Sequence, residues 1–171
     1  AAEGQRELAR LLARRGDIEG ARPLLDGARA YQAQAGKHGE VLRTDARIAE
    51  LLLLAGDGDE ALAVIDRADH LSATTDGGTV LEPTLARLRG WAYLQIGRPV
   101  EAERAMSAAL TLAEGRGDVH EEALTLDGIL AIERESGPTR DDLERARAGL
   151  FDRLGIIHPP RFATRATSTE A

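Results

Sequence analysis

The chain of 171 residues has no cysteine and no asparagine, and only one lysine, one methionine and one tryptophan. Without cysteine, disulfides and thiolate metal sites are excluded. Aromatics supply only 3% of a sequence that is 43% hydrophobic, so alanine and leucine must fill the interior, which suits closely paired helices. No apolar run approaches the ~18 residues of a membrane-spanning helix, so no membrane partner is expected. Basic surplus is also missing. A net charge of −7 and a pI near 5.2 argue against nucleic-acid binding, which needs cations to displace counterions. Lys37 stands against twenty-one arginines, a bias of GC-rich codons rather than of function. The chain opens on Ala1 without a charged and apolar leader, and reads as a domain excised from a cytoplasmic protein.

What is present is a period. Gly16, Gly56, Gly97 and Gly137 recur at steps of 40, 41 and 40 residues. Five residues after the first three come Ala21, Ala61 and Ala102, then Leu25, Ile65 and Met106, then Ala28, Ala68 and Ala109. Such a period is the sign of stacked helical units rather than of one globular core. Apolar stripes at three- and four-residue steps flank each glycine, as in Leu8, Leu11 and Leu12 or Ile48, Leu51 and Leu52. Glycine can end the first helix of each unit in a left-handed conformation, and Asp17, Asp57 and Asp118 can cap the helix that follows. Glu60 and Glu121 stand where a capping box would place them, as does Asp142 after Thr139. Pro99 fits a first helical turn.

The expected fold is therefore all-α, with eight helices in four antiparallel pairs of about 40 residues. The expected repeats cover 3–38, 39–78, 81–117 and 118–155 within a domain of 1–155. Residues 156–171, opening on Ile156-Ile157-His158-Pro159-Pro160 and rich in Thr and Ala, are expected to form a flexible tail.

The third unit, Ala86 to Glu114, resembles the tetratricopeptide repeat through Gly90, Tyr93, the turn Gly97, and Ala102, Met106 and Ala109. The likeness extends over residues 3–154. Units one and two carry Ala9 and Ala49 in place of Gly90, unit four has Asp142 at the small-residue position, and Arg89 occupies a normally apolar site. The period exceeds the usual ~34 residues, so the second helices or their exits must be longer. The resemblance implies a right-handed superhelix (an α-solenoid) that binds a protein or peptide. Lengthened repeats of this kind, and the ending Leu150-Phe151-Asp152-Arg153-Leu154-Gly155, resemble the C-terminal regions of large bacterial regulators with a class III nucleotide cyclase domain and a signalling ATPase.

The first helices of such repeats line a concave face. The family's groove positions fall on Arg6, Arg10, Arg43, Arg47, Glu50, Arg87, Trp91, Gln95, Asp127 and Arg134. Arginines with one tryptophan suit an acidic peptide, because guanidinium forks pair carboxylates and an aromatic anchors an apolar side chain. The bland alternative is that these arginines pair with neighbouring carboxylates on a solvated face. Trp91 discriminates: exposed, it favours binding; packed under a neighbour, it is core.

No catalytic, cofactor or metal residues are expected. His38, His70, His120 and His158 are widely spaced, and Leu124 replaces the second histidine of a zinc-protease pattern. Asp57-Gly58-Asp59-Glu60 lacks the third early ligand of a calcium loop and has Ala68 in place of the bidentate glutamate, so it reads as a helix cap. Gly36-Lys37 lacks the first glycine of a phosphate loop, Tyr31 standing there. The leading expectation is a non-catalytic protein-interaction scaffold, the sensory end of a cytoplasmic signalling protein, in contact with its upstream domain. The rivals are the tail of a multidomain enzyme (cyclase or ATPase) and the tail of a transcription regulator.

Overall fold

The computed structural model describes residues 2–75, 78–137, 140–162 and 164. Among these the chain forms eight α-helices and one 3-10 turn, with no strand. Helices α1 (Ala2–Arg14) and α2 (Ile18–Gln34) make the first hairpin, α3 (His38–Ala55) and α4 (Gly58–Ser72) the second. The 3-10 turn Gly78–Leu81 leads into α5 (Glu82–Gln95) and α6 (Pro99–Arg116), followed by α7 (Val119–Ser136) and α8 (Asp141–Leu154). No helix among the described residues is long and apolar enough to cross a membrane.

The hairpin turns follow from local chemistry. Gly16, Gly56 and Gly97 take φ of 81°, 83° and 75°, a left-handed conformation open to glycine at little cost. The next residue then donates its N–H back into the helix just ended: Asp17 to Leu12 O at 3.0 Å, Asp57 to Leu52 O at 2.9 Å, Arg98 to Tyr93 O at 2.8 Å. Asp17, Asp57 and Asp118 cap the following helices, accepting from the N–H of Gly20, Glu60 and Glu121. The expected capping boxes close only halfway. A box needs the cap residue's own N–H, and those of Asp57 and Asp118 are already spent on Leu52 O and Ala113 O. Glu60 and Glu121 pair instead with Arg22 and Arg87. Thr139, the third expected cap, lies outside the described residues; α8 begins after Arg140, whose N–H donates to Glu133.

Helix lengths reveal a second, longer period. They run 13, 17, 18 and 15 residues over α1–α4 and 14, 18, 18 and 14 over α5–α8. The extra length over a short repeat was expected in second helices or their exits. It lies in α2 and α6, but also in the first helices α3 and α7, and in the exit from α4. Residues 81 apart are accordingly equivalent. Gly36 and Gly117 both follow the long second helices at φ 67° and 65°, and Thr44 and Thr125 are both fully buried. Arg6 pairs with Glu40 as Arg87 pairs with Glu121.

Each helix packs on its neighbours in sequence, and in addition α1 touches α3, α3 touches α5, and α5 touches α7. The even helices α2, α4, α6 and α8 do not pack on one another in this way among the described residues; α2 and α4 meet only through the side-chain pair of Arg22 and Glu60. The odd helices thus form a continuous layer with the even helices outside it. Small residues let the layers close: Ala21, Ala61 and Ala102 are 0% exposed. Met106, also fully buried, fills the gap that Gly90 and Gly128 leave; a Cβ on either would lie within 2.8 Å of its side chain. On α1 the matching stripe is left largely uncovered among the described residues. Leu8 and Leu11 are 49% and 52% exposed, whereas Ile48 and Leu51, their equivalents one unit on, are buried.

Candidate functional site

The inner layer changes character along its length. On α3, between Val41 and Leu53, only Arg43, Arg47 and Glu50 escape burial. Their four- and three-residue steps put them on one stripe. Each is matched locally: Arg43 to Glu40 at 3.1 Å and Arg47 to Glu50 at 2.7 Å. Arg10 on α1 pairs with Glu7 at 2.9 Å, and Arg6 reaches Glu40 at 2.6 Å. Glu40 is thereby shared by Arg6 and Arg43, tying α1 to α3. Pairs this exposed are worth about 0–1 kcal/mol each and are screened by salt, so another carboxylate can replace the resident one at small cost.

Two α5 members of the expected row, Arg87 and Trp91, are not offered to solvent, which corrects their reading as part of a presented row. Arg87 is buried because its register faces the start of the next odd helix, where Glu121 accepts from its Nε at 2.8 Å. Burial works against the Glu121 charge, but the guanidinium beside it and a hydrogen bond from Thr84 outweigh that and hold its carboxyl below the ordinary range. Gln95 is half-buried and donates to Leu53 O on α3 at 2.7 Å, while its Oε1 has no hydrogen-bond partner among the described residues. Trp91 is 5% exposed, so it is no open anchor. One thing that covers it is unexpected. Phe162, from the segment expected to be a flexible tail, meets its ring edge-on with centroids 5.1 Å apart. On α7, Asp127 pairs with Arg147 at 2.7 Å, and Arg134 lies 3.8 Å from Glu144.

Four groups of charges were not legible in the sequence. Asp45 is fully buried, between Arg29 of α2 at 2.6 Å and Arg67 of α4 at 3.1 Å. Arg89, the polar residue at an apolar site, crosses to α4 and binds Asp66 and Asp69, both at 2.6 Å. Arg22 likewise joins Asp26 and Glu60, and Arg116 joins Glu82 and the carbonyl of Thr79. Apart from Arg22–Asp26, which lies within α2, these pairs join different elements, so only the three-dimensional packing selects the partners. A shallow recess of about 430 Å³ on the outer side is lined by Ser72, Ala86, Arg89 and Ala108, its arginine already committed.

The four histidines are exposed, and among the described residues no three metal-binding side chains converge. The chemistry that the inner layer offers is exchange of ion pairs on α1 and α3 and apolar contact on α5. Compared with protein-family models and with curated protein sequences, the chain matches none.

Proposed function

We propose that the chain is a non-catalytic helical-repeat scaffold of tetratricopeptide type, wound as a right-handed solenoid, that binds an acidic peptide segment on its inner layer. The observation that carries this reading is the unbroken row of odd helices, α1 to α3 to α5 to α7, which supplies one face spanning all four hairpins. On it Arg10, Arg43 and Arg47 keep guanidinium groups accessible behind weak local pairs. An incoming carboxylate replaces Glu40 or Glu50 and accepts two N–H bonds from one guanidinium fork. Such a face fits the sensory part of a larger cytoplasmic regulator, where occupancy alters the output of a neighbouring domain.

The test is fluorescence polarisation with labelled peptides rich in Asp and Glu and carrying one Leu or Phe. Saturable binding is expected in 50 mM salt (the low-salt arm of the assay) and should weaken in high salt. Arg43→Ala with Arg47→Ala should reduce affinity roughly 3- to 10-fold with helicity unchanged, as loss of two exposed pairs implies. Equal affinity in wild type and double variant, or no binding by any peptide, would sink the proposal.

A further inference from the structure

The residue equivalent to Trp91 is Glu50 on α3 and Arg10 on α1, one unit and two units earlier. Both of those positions face solvent, half-buried Glu50 less so than Arg10. The tryptophan therefore occupies the same inner-face register, yet it is 5% exposed, with Phe162 against it. The segment carrying Phe162 leaves α8 at Gly155. Ile156 packs with Ala123, Leu124 and Phe151 of α7 and α8, and Phe162 ends on α5, so the segment links the fourth hairpin to the third.

The character of this segment is that of a ligand more than of a helix or strand. Pro159 and Pro160 lack an N–H and fix their own φ, so this stretch continues neither a helix nor a strand ladder. Ile157, His158 and Arg161 are exposed, Ile157 at 81%, while Phe162 alone is buried, at 8%. Phe162 thus makes the buried contact of this segment with α5, and Ile156 its contact with α7 and α8. In a chain with one Trp, two Phe and two Tyr, this contact joins two of the five aromatics.

We infer that residues 156–162 are an internal occupant of a peptide site centred on Trp91, and that an extended partner segment bearing an aromatic side chain exchanges with them. The inference rests on the reading of the inner layer as a peptide-binding face and deepens it: the α1–α3 half takes carboxylates, and the α5–α7 half takes an aromatic residue. Release of Phe162 uncovers Trp91, and binding of the partner's aromatic covers it again.

Because Trp91 is the sole tryptophan, its emission reports the site directly. The experiment compares the full chain with its Phe162→Ala variant in two ways. Acrylamide quenching measures access to Trp91, and polarisation measures binding of a labelled peptide with the sequence of residues 156–164. Phe162→Ala should raise the quenching constant and bind the peptide at least about tenfold more tightly than wild type, the loss expected for an aromatic pair with its burial. A peptide carrying alanine at the Phe162 position should not bind. Phe162→Leu should fall between, and it carries the test alone if circular dichroism finds Phe162→Ala unfolded. Unchanged quenching, or an uncovered Trp91 that takes up no peptide, overturns the inference. If the acidic peptides still bind through Arg43 and Arg47 in that case, the internal occupant alone is refuted; loss of both kinds of binding refutes the face as a whole.

Discussion

Arg87 and Glu121 share a pair in which both side chains are nearly out of water, with 4% and 11% of their surface exposed. Removing one member leaves the other's charge buried, which costs about 3–5 kcal/mol. Arg87→Ala should therefore lower the unfolding free energy by that order in urea titrations at pH 7, while Arg87→Met with Glu121→Leu should cost much less. Equal losses would mean that the pair contributes by packing and not by charge. The same titration in acid checks the sign. Glu121 has its carboxyl held down in the folded state, so its contribution is complete above the unfolded value near 4.3 and fades as pH falls below it. The gap between wild type and Glu121→Gln should narrow below about pH 4. These partners were not readable from local sequence, since Arg87 and Glu121 sit in different hairpins. Their recurrence 81 residues after Arg6 and Glu40 was the available signal, and it stands out only once the helix lengths reveal a two-hairpin unit. Asp45 had no such signal; an acid among Leu42, Ile48 and Ala49 is explained only by arginines brought in from α2 and α4.

At the scale of the element, the turns were legible because everything that makes them is local. A glycine, an aspartate and the following alanine lie within six residues, and the hydrogen bonds they imply are the ones observed at Gly16 and Gly56. What local sequence could not rank is how near two helices come. Gly58, read as part of a cap, opens α4 against the end of α5, and a Cβ there would lie 2.9 Å from the backbone oxygen of Ala92. A backbone carbonyl in a helix cannot swing aside as a side-chain end can. Gly58→Ala should therefore overpack the junction and cost about 1–3 kcal/mol, measured by thermal unfolding. A neutral or stabilising change would mean that α4 and α5 can separate freely. Trp91 was equally undecidable from its neighbours in sequence, because its cover comes from α7, at Gly128, and from Phe162 near the far end of the chain.

For the whole molecule, the four glycines announced the number of hairpins, and small residues at Ala21, Ala61 and Ala102 announced their closeness. The uneven distribution of buried side chains was hidden. Helix α3 buries ten residues, whereas α8 buries only Phe151 and α1 leaves Leu8 and Leu11 in water. Units that touch only their neighbours open from the ends inward. Amide hydrogens of α3 to α6 should exchange only through global unfolding, and those of α1 through frequent local opening, as deuterium uptake followed by mass spectrometry would record. Uniform protection across all eight helices would contradict this. The two ends are not equivalent, however. The chain leaving α8 is pinned to α5 by Phe162, which closes a clasp around the fourth hairpin, while among the described residues α1 is tied to α3 by the ion pair of Arg6 with Glu40 and not by an aromatic contact. An event that unseats one phenyl ring therefore does more than vacate a site. It unlatches the last hairpin, and the protection of α7 and α8 becomes a gauge of whether that clasp is shut.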